Sequence, residues 1–203
     1  MHATVFDIDG TLLQSAGVDD DLYKAAVRSV IRGAFFRPSL SDYDYVSDSG
    51  ILAQIMTDNS VPNTPERVAS IKSRFIDLLR THISEHGPFP EIPGALNTLT
   101  KLNESPDHAV AIATGGWRES ALLKLETAGF SDLVCPIATA DDAHDRKEIM
   151  CIALSRLGGS FRSITYFGDG PWDRDATIGL GWKFVAVGSA LGGLESYHDL
   201  EDI

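Results

Sequence analysis

The stretch that most constrains this chain is Val5-Phe6-Asp7-Ile8-Asp9-Gly10-Thr11, close to its start. Ala3 to Phe6, with Ile8, is an apolar run of the length of a buried strand. Strand side chains alternate, so Asp7 and Asp9 point to one side while Ile8 packs on the other. Gly10 lets the backbone turn sharply, and Thr11 opens the next segment. Two carboxylates at the end of a buried strand repel each other and lose hydration, so they need a cation or a proton to coexist. The carboxyl end of a strand is also where ligands sit in open α/β sheets. The structural alternative is an acidic connection with Asp9-Gly10 as a simple turn. Three later stretches argue against it.

After Thr11 the pattern becomes helical. Asp19, Asp20 and Asp21 suit a helix N-terminus, and Leu22, Ala25, Ala26, Ser29 and Val30 follow as one face, with Gly33 as the stop. A shorter helix is expected near Gly50 to Asp58, capped by Asp48 or Ser49. Thr64-Pro65 starts a third helix, as N-cap and first position, with Val68, Ile71, Phe75, Leu78 and Leu79 as its buried stripe. Pro88, Pro90 and Pro93, with Gly87 and Gly94, mark the end of this block. Strands and helices then alternate: strands at His108–Ala113, Leu133–Ala138, Ile164–Phe167 and Phe184–Val187, and helices at Arg118–Ala128, Lys147–Leu157 and Asp173–Leu180. This alternation predicts an α/β fold, a parallel sheet of five core strands covered on both faces. The expected division is a core of residues 1–14 and 90–203 and an inserted helical unit of residues 15–89.

Four segments at strand ends or helix starts carry polar groups. Beyond Asp7 and Asp9, Thr114-Gly115-Gly116 offers a hydroxyl and glycine N–H groups that can approach a phosphate closely. Lys147 opens a helix at its positive end, an unfavourable place for a cation and hence a functional candidate. Gly168-Asp169-Gly170-Pro171-Trp172-Asp173 delivers two more carboxylates. Asp7, Asp9, Asp169 and Asp173 together carry −4 if all are ionised, and a phosphoryl group adds about −2. A divalent ion and Lys147 would offset most of this. Only oxygen ligands are on offer, which favours Mg²⁺ over Zn²⁺. Each residue has a plainer reading: Thr114 as a helix cap, Asp173 as an N-cap, and Lys147 as a solvated first-turn residue with Arg146 as the phosphate ligand.

In their order, each on its expected strand or helix, Asp7-Ile8-Asp9-Gly10-Thr11, Thr114, Lys147 and Gly168-Asp169 with Asp173 resemble the four motifs of the haloacid dehalogenase superfamily of phosphohydrolases. The resemblance runs over nearly the whole chain and points to the subgroup of phosphoglycolate phosphatase and β-phosphoglucomutase. It implies a Rossmann-like core with a helical cap between the first and second motifs. It also implies Asp7 as the nucleophile that forms an aspartyl-phosphate, and Asp9 as the acid and base for leaving group and water. Thr114, the Gly115 N–H and Lys147 would bind phosphoryl oxygens, and Asp7, the Asp9 carbonyl, Asp169 and Asp173 would hold Mg²⁺. Asp9 points to phosphoryl transfer, since dehalogenases lack that second Asp. Cap residues placed to face the site are Tyr23, Lys24, Arg28, Tyr43, Tyr45 and Asp48. Trp117 and Trp172 follow motifs, with core packing as their expected role.

Composition narrows the partners. A net charge of −12 disfavours nucleic acid and anionic membrane surfaces, but not a small phosphorylated metabolite met by local cations. No 18-residue apolar run and no secretory signal are present, so a cytoplasmic protein is expected, with Cys135 and Cys151 as buried free thiols. The expected activity is a Mg²⁺-dependent phosphatase acting on a phosphoglycolate- or sugar-phosphate-like metabolite. A phosphomutase, and a non-catalytic phosphate-binding regulator on the same scaffold, remain as alternatives. Monomer and homodimer are both open.

Overall fold

In the computed structural model, which describes residues 1–132 and 134–200, five parallel strands form one sheet in the order β3-β2-β1-β4-β5. They are β1 (His2–Phe6), β2 (His108–Ala113), β3 (Ile137–Ala138), β4 (Ile164–Gly168) and β5 (Lys183–Ala186). β1 lies at the centre, paired with β2 on one side and β4 on the other. The chain runs outward from β1 through β2 to β3, then returns to the far side of β1 for β4. That reversal opens a crevice at the carboxyl ends of the central strands.

The alternation of side chains sorts the core into two layers. Phe6, Val110, Ile112 and Phe167 pack beneath α4 (Ala95–Glu104) and α5 (Arg118–Thr127). Val5, Ala111, Ala113 and Tyr166 face the opposite way, onto α6 (Arg146–Leu157) and α7 (Pro171–Leu180). Both faces of the sheet are therefore covered, which explains why the strands are largely apolar on both sides. Helix α4 was not expected from the sequence. Its buried stripe is only Ala95, Leu99 and Leu102, a short signal beside the prolines and glycines that mark the return from the inserted block.

The chain leaves the sheet after Leu13 and comes back at Glu91, where these two residues form an antiparallel bridge. Between them α1 (Ala16–Val30), α2 (Asp48–Asp58) and α3 (Pro65–His86) build a second apolar cluster around Tyr23, Ile55 and Phe75. Thr64 caps α3 by accepting from the Arg67 N–H, with Pro65 at the first position. Two details differ from expectation. α2 is capped by Ser47, whose hydroxyl accepts from Gly50 N–H at 3.2 Å, and not by Asp48 or Ser49. The buried face of α1 is Asp19, Tyr23, Ala26 and Val27, while Ala25 and Ser29 are exposed. The face is turned because Asp19, a charged residue, is drawn inward by a partner described below.

β3 is also shorter than the expected Leu133–Ala138. Pro136 has no N–H to give to the ladder, and only its carbonyl is used, by the Ile112 N–H; Leu133 lies outside the described residues. Both thiols are free, but Cys135 is half-buried and Cys151 is exposed. Cys151 follows Met150 on α6, one step off its buried stripe of Ile149, Met150 and Ala153. Among the described residues no helix is long and apolar enough to cross a membrane.

Candidate active site

The crevice holds a cavity of about 290 Å³ lined by Asp7, Asp9, Thr114, Gly115 and Asp169, with Arg146 beside them. Each arrives by the same local logic. Asp7 and Asp9 follow β1, Thr114 follows β2, and Asp169 follows β4, so neighbouring parallel strands deliver their tips to one edge. Asp173 sits in the first turn of α7, fully buried, with its carboxylate accepting from the Gly170 N–H at 3.2 Å. It thus does the work of a cap and still stands in the cluster. Gly10 is what permits the approach of Asp169. It has φ +77°, and a Cβ there would fall 2.1 Å from Asp169 Oδ2.

Asp7, Asp169 and Asp173 each offer a carboxylate oxygen, and these atoms lie within 4.8 Å of one another. Burial raises Asp7 well above the ordinary carboxylate range; Arg146 opposes this, while Asp173, Asp169 and Asp9 add to it. Asp169 is pushed up to about 7, by burial first and then by Asp173. Burial likewise raises Asp173, against the pull of Arg146. Three crowded carboxylates that resist ionisation together, with oxygen donors only, fit a hard divalent cation such as Mg²⁺.

Next to this acidic cluster lies one guanidinium. Arg146 is buried, with Nη1 3.4 Å from Asp7 Oδ1 and Nε 3.1 Å from Asp173 Oδ1. The second approach is off-line, so the Nε–H has no hydrogen-bond acceptor, and the Trp172 indole N–H at the cavity wall has none either. Buried donors without partners are costly, and two of them beside a cation site suit an anion's oxygens. Thr114 is 1% exposed, and its hydroxyl accepts from the Gly116 N–H at 3.2 Å.

Lys147 is not brought to this cavity. The helix begins one residue earlier than expected, at Arg146, with Asp145 as N-cap accepting the Lys147 N–H at 2.8 Å. Successive helical residues point about 100° apart, so Arg146 turns into the crevice. Lys147 is exposed and lies along α7, where a Cβ on Gly179 would meet its Nζ at 2.7 Å. The cation beside the carboxylates is Arg146.

A second ionic cluster reaches the cavity through Asp9 and Asp19. Lys124 of α5 is completely buried, and its ammonium donates to Asp9 Oδ1 and Oδ2 at 2.6 and 2.7 Å and to Asp19 Oδ1 at 2.5 Å. Ser15 Oγ also donates to Asp9 Oδ1, at 2.5 Å. Burial works against the lysine's charge, but Asp19 and Asp9 outweigh it and hold its pKa above the ordinary value. Asp19 is raised to about 6, by burial and then by Asp9, with Lys124 pulling it down. The sequence reading missed Lys124. The signal was its place in the buried spacing Ser120, Ala121, Lys124, Leu125, where a lysine must find carboxylates.

The helical unit closes over the crevice through three consecutive residues. Ser47 Oγ donates to the His144 carbonyl, Asp48 N–H to the Gly115 carbonyl, and Ser49 Oγ to the Ala140 carbonyl, each at 2.7 Å. Asp48 also accepts the Trp117 N–H, and Trp117 packs in the apolar cluster of the helices. Of the expected cap residues, Tyr23, Lys24, Tyr43 and Asp48 line the cavity. Arg28 instead lies over the Phe36 ring and Tyr45 is exposed outside the cavity, because their helix and loop positions turn them away. Trp172, expected to pack in the core, lines the cavity.

The model of the haloacid dehalogenase-like hydrolase family matches residues 1–181 of the chain. The chain belongs to that family. Similar solved structures share its fold at low identity. CbbY from Rhodobacter sphaeroides in complex with phosphate is 16% identical, with TM-score 0.71 over 98% of this chain and 89% of that one. A β-phosphoglucomutase from Clostridium difficile and a hydrolase from Pseudomonas syringae are each 19% identical. Both have TM-score 0.70 over 92% of this chain and 84% of theirs. A comparison with curated protein sequences gave no match. The family makes the protein a hydrolase with an α/β fold.

Proposed function

We propose that this hydrolase is a phosphatase that cleaves a small phosphorylated metabolite, with residues 15–89 as a cap over a core of residues 1–14 and 90–203. One observation carries the reading: the Asp7, Asp169 and Asp173 carboxylates converge within 4.8 Å beside a buried Arg146 whose Nε–H lacks an acceptor. A cation site and an anion site thus share one wall.

Asp7 is the nucleophile of this reading. Its carboxylate attacks phosphorus, the bond to the leaving oxygen breaks, and an aspartyl-phosphate forms. Asp9 gives a proton to the leaving alkoxide and later takes one from the water that hydrolyses the intermediate. Arg146, the Thr114 hydroxyl and the Gly115 N–H hold the phosphoryl oxygens, with Arg146 in the part the sequence assigned to Lys147. Asp7, Asp169, Asp173 and the Asp9 carbonyl would hold Mg²⁺, which supplies charge neutralisation at the phosphoryl group. The latch of Ser47, Asp48 and Ser49 keeps the helices over the crevice and limits water.

Hydrolysis is favoured over the mutase alternative by the cap side of the cavity. Its cations are Lys24, 2.6 Å from Asp20, and Arg37, bonded through Nε and Nη2 to both oxygens of Asp58. Both cations are already paired with a carboxylate, which reduces the positive charge open to a second phosphoryl group. The two free thiols agree with a cytoplasmic site of action.

The test is release of phosphate from p-nitrophenyl phosphate with Mg²⁺, with EDTA and Asp7→Asn as controls. Turnover that survives Asp7→Asn would remove the nucleophile and the mechanism with it.

A further inference from the structure

We propose that Lys124 is a positioning residue that holds the Asp9 carboxylate in place and ties that placement to the cap through Asp19. The inference rests on the phosphatase reading, in which Asp9 handles the proton of the leaving group. It goes beyond that reading by adding a residue from α5 that does not touch the phosphoryl group.

The geometry is specific. Asp9 follows β1 in the core, Lys124 lies on α5 in the core, and Asp19 lies on α1, the first helix of the cap. One ammonium, with no exposed surface, spends its three protons on Asp9 Oδ1, Asp9 Oδ2 and Asp19 Oδ1. A lysine ammonium has three donors and no more, so no proton is left to bind substrate. Ser15, on the connection between the two units, adds a fourth bond, to Asp9 Oδ1. Both Asp9 oxygens are thereby fixed from behind, while the residue still lines the cavity.

A purely structural ion pair would need one carboxylate. Here the lysine spans two, one from each side of the cap connection, so displacement of α1 moves Asp19 and with it the ammonium that aims Asp9. Sub-ångström misplacement of a proton-transfer group is expensive. The position of the cap is therefore felt at the acid without any cap residue touching the leaving oxygen.

The dependence on leaving group tests this. An alkyl phosphate needs a proton on its departing alkoxide, whereas p-nitrophenyl phosphate releases a stable phenolate. Lys124→Met should lower the single-turnover rate of leaving-group release from the alkyl ester by about 100-fold or more, with KM little changed, and that from p-nitrophenyl phosphate by less than about 5-fold. The later hydrolysis step, which also uses Asp9, is common to both and is excluded by reading the first turnover. The double variant Lys124→Met/Asp19→Asn keeps the net charge of the buried group and guards against misfolding of the single variant. It should show the same split, and Asp19→Asn alone a smaller one. Equal losses on both esters, or no loss on either, would overturn the proposal. So would failure of both Lys124 variants to fold, which would assign the lysine to folding alone. Wild-type protein that hydrolyses neither ester would instead strike at the phosphatase reading itself.

Discussion

Two ionic clusters border the cavity, and they are compensated to different degrees. The first holds three carboxylates, Asp7, Asp169 and Asp173, against one guanidinium, with a donor left over at Arg146 Nε. The second holds two carboxylates, Asp9 and Asp19, against one ammonium, and all three lysine protons are used. The difference separates a site prepared to receive ligands from one prepared to hold still. Unmatched charge and an orphaned donor are stable only when something else completes them. A satisfied network in low dielectric is rigid.

The sharpest way to break this contrast is at the nucleophile. Asp7→Asn should lower kcat for p-nitrophenyl phosphate by at least about 10⁴-fold, measured by phosphate release; a loss below tenfold would place the reacting group elsewhere. Arg146→Ala should come next, with kcat/KM down roughly 10²–10³-fold through loss of phosphoryl charge stabilisation.

The incompletely compensated cluster should also govern metal-free stability. Asp169, raised from 3.8 to about 7, binds more protons folded than unfolded. Stability is therefore present at acidic pH and falls as pH climbs through about 4 to 7. Thermal melts with EDTA should show a Tm that declines over this range. Mg²⁺ at a hundredfold excess over its Kd should raise Tm by roughly 5–10 °C near pH 8 and by less near pH 5. A Tm indifferent to Mg²⁺ at both pH values would contradict the cation site. The smallest effect is reserved for Lys147→Ala, expected to change kcat/KM by no more than about twofold. A loss as large as that of Arg146→Ala would mean that Lys147 swings into the crevice in solution.

Much of the architecture was legible in the residues. Asp7 and Asp9 after an apolar strand, and Asp169 and Asp173 after another, are local patterns, and a parallel sheet with this strand order brings such tips together at one edge. The identity of the cation was not legible. Arg146 and Lys147 are adjacent and equally charged, and one residue's difference in where α6 begins rotates one inward and the other out. The same limit applies to α1, where a face read from apolar residues missed that Asp19 points in.

The sequence alone determined the alternation of strands and helices, the inserted helices and the acidic strand ends, because period, turn residues and capping are short-range properties of the chain. Only the tertiary structure decided which charges share a cavity. Lys124 meets Asp9 across 115 positions and Asp19 across 105, and no local rule reaches that far. Burial then turns that meeting into chemistry, because a charge removed from water is governed by the few partners the fold places within hydrogen-bond reach.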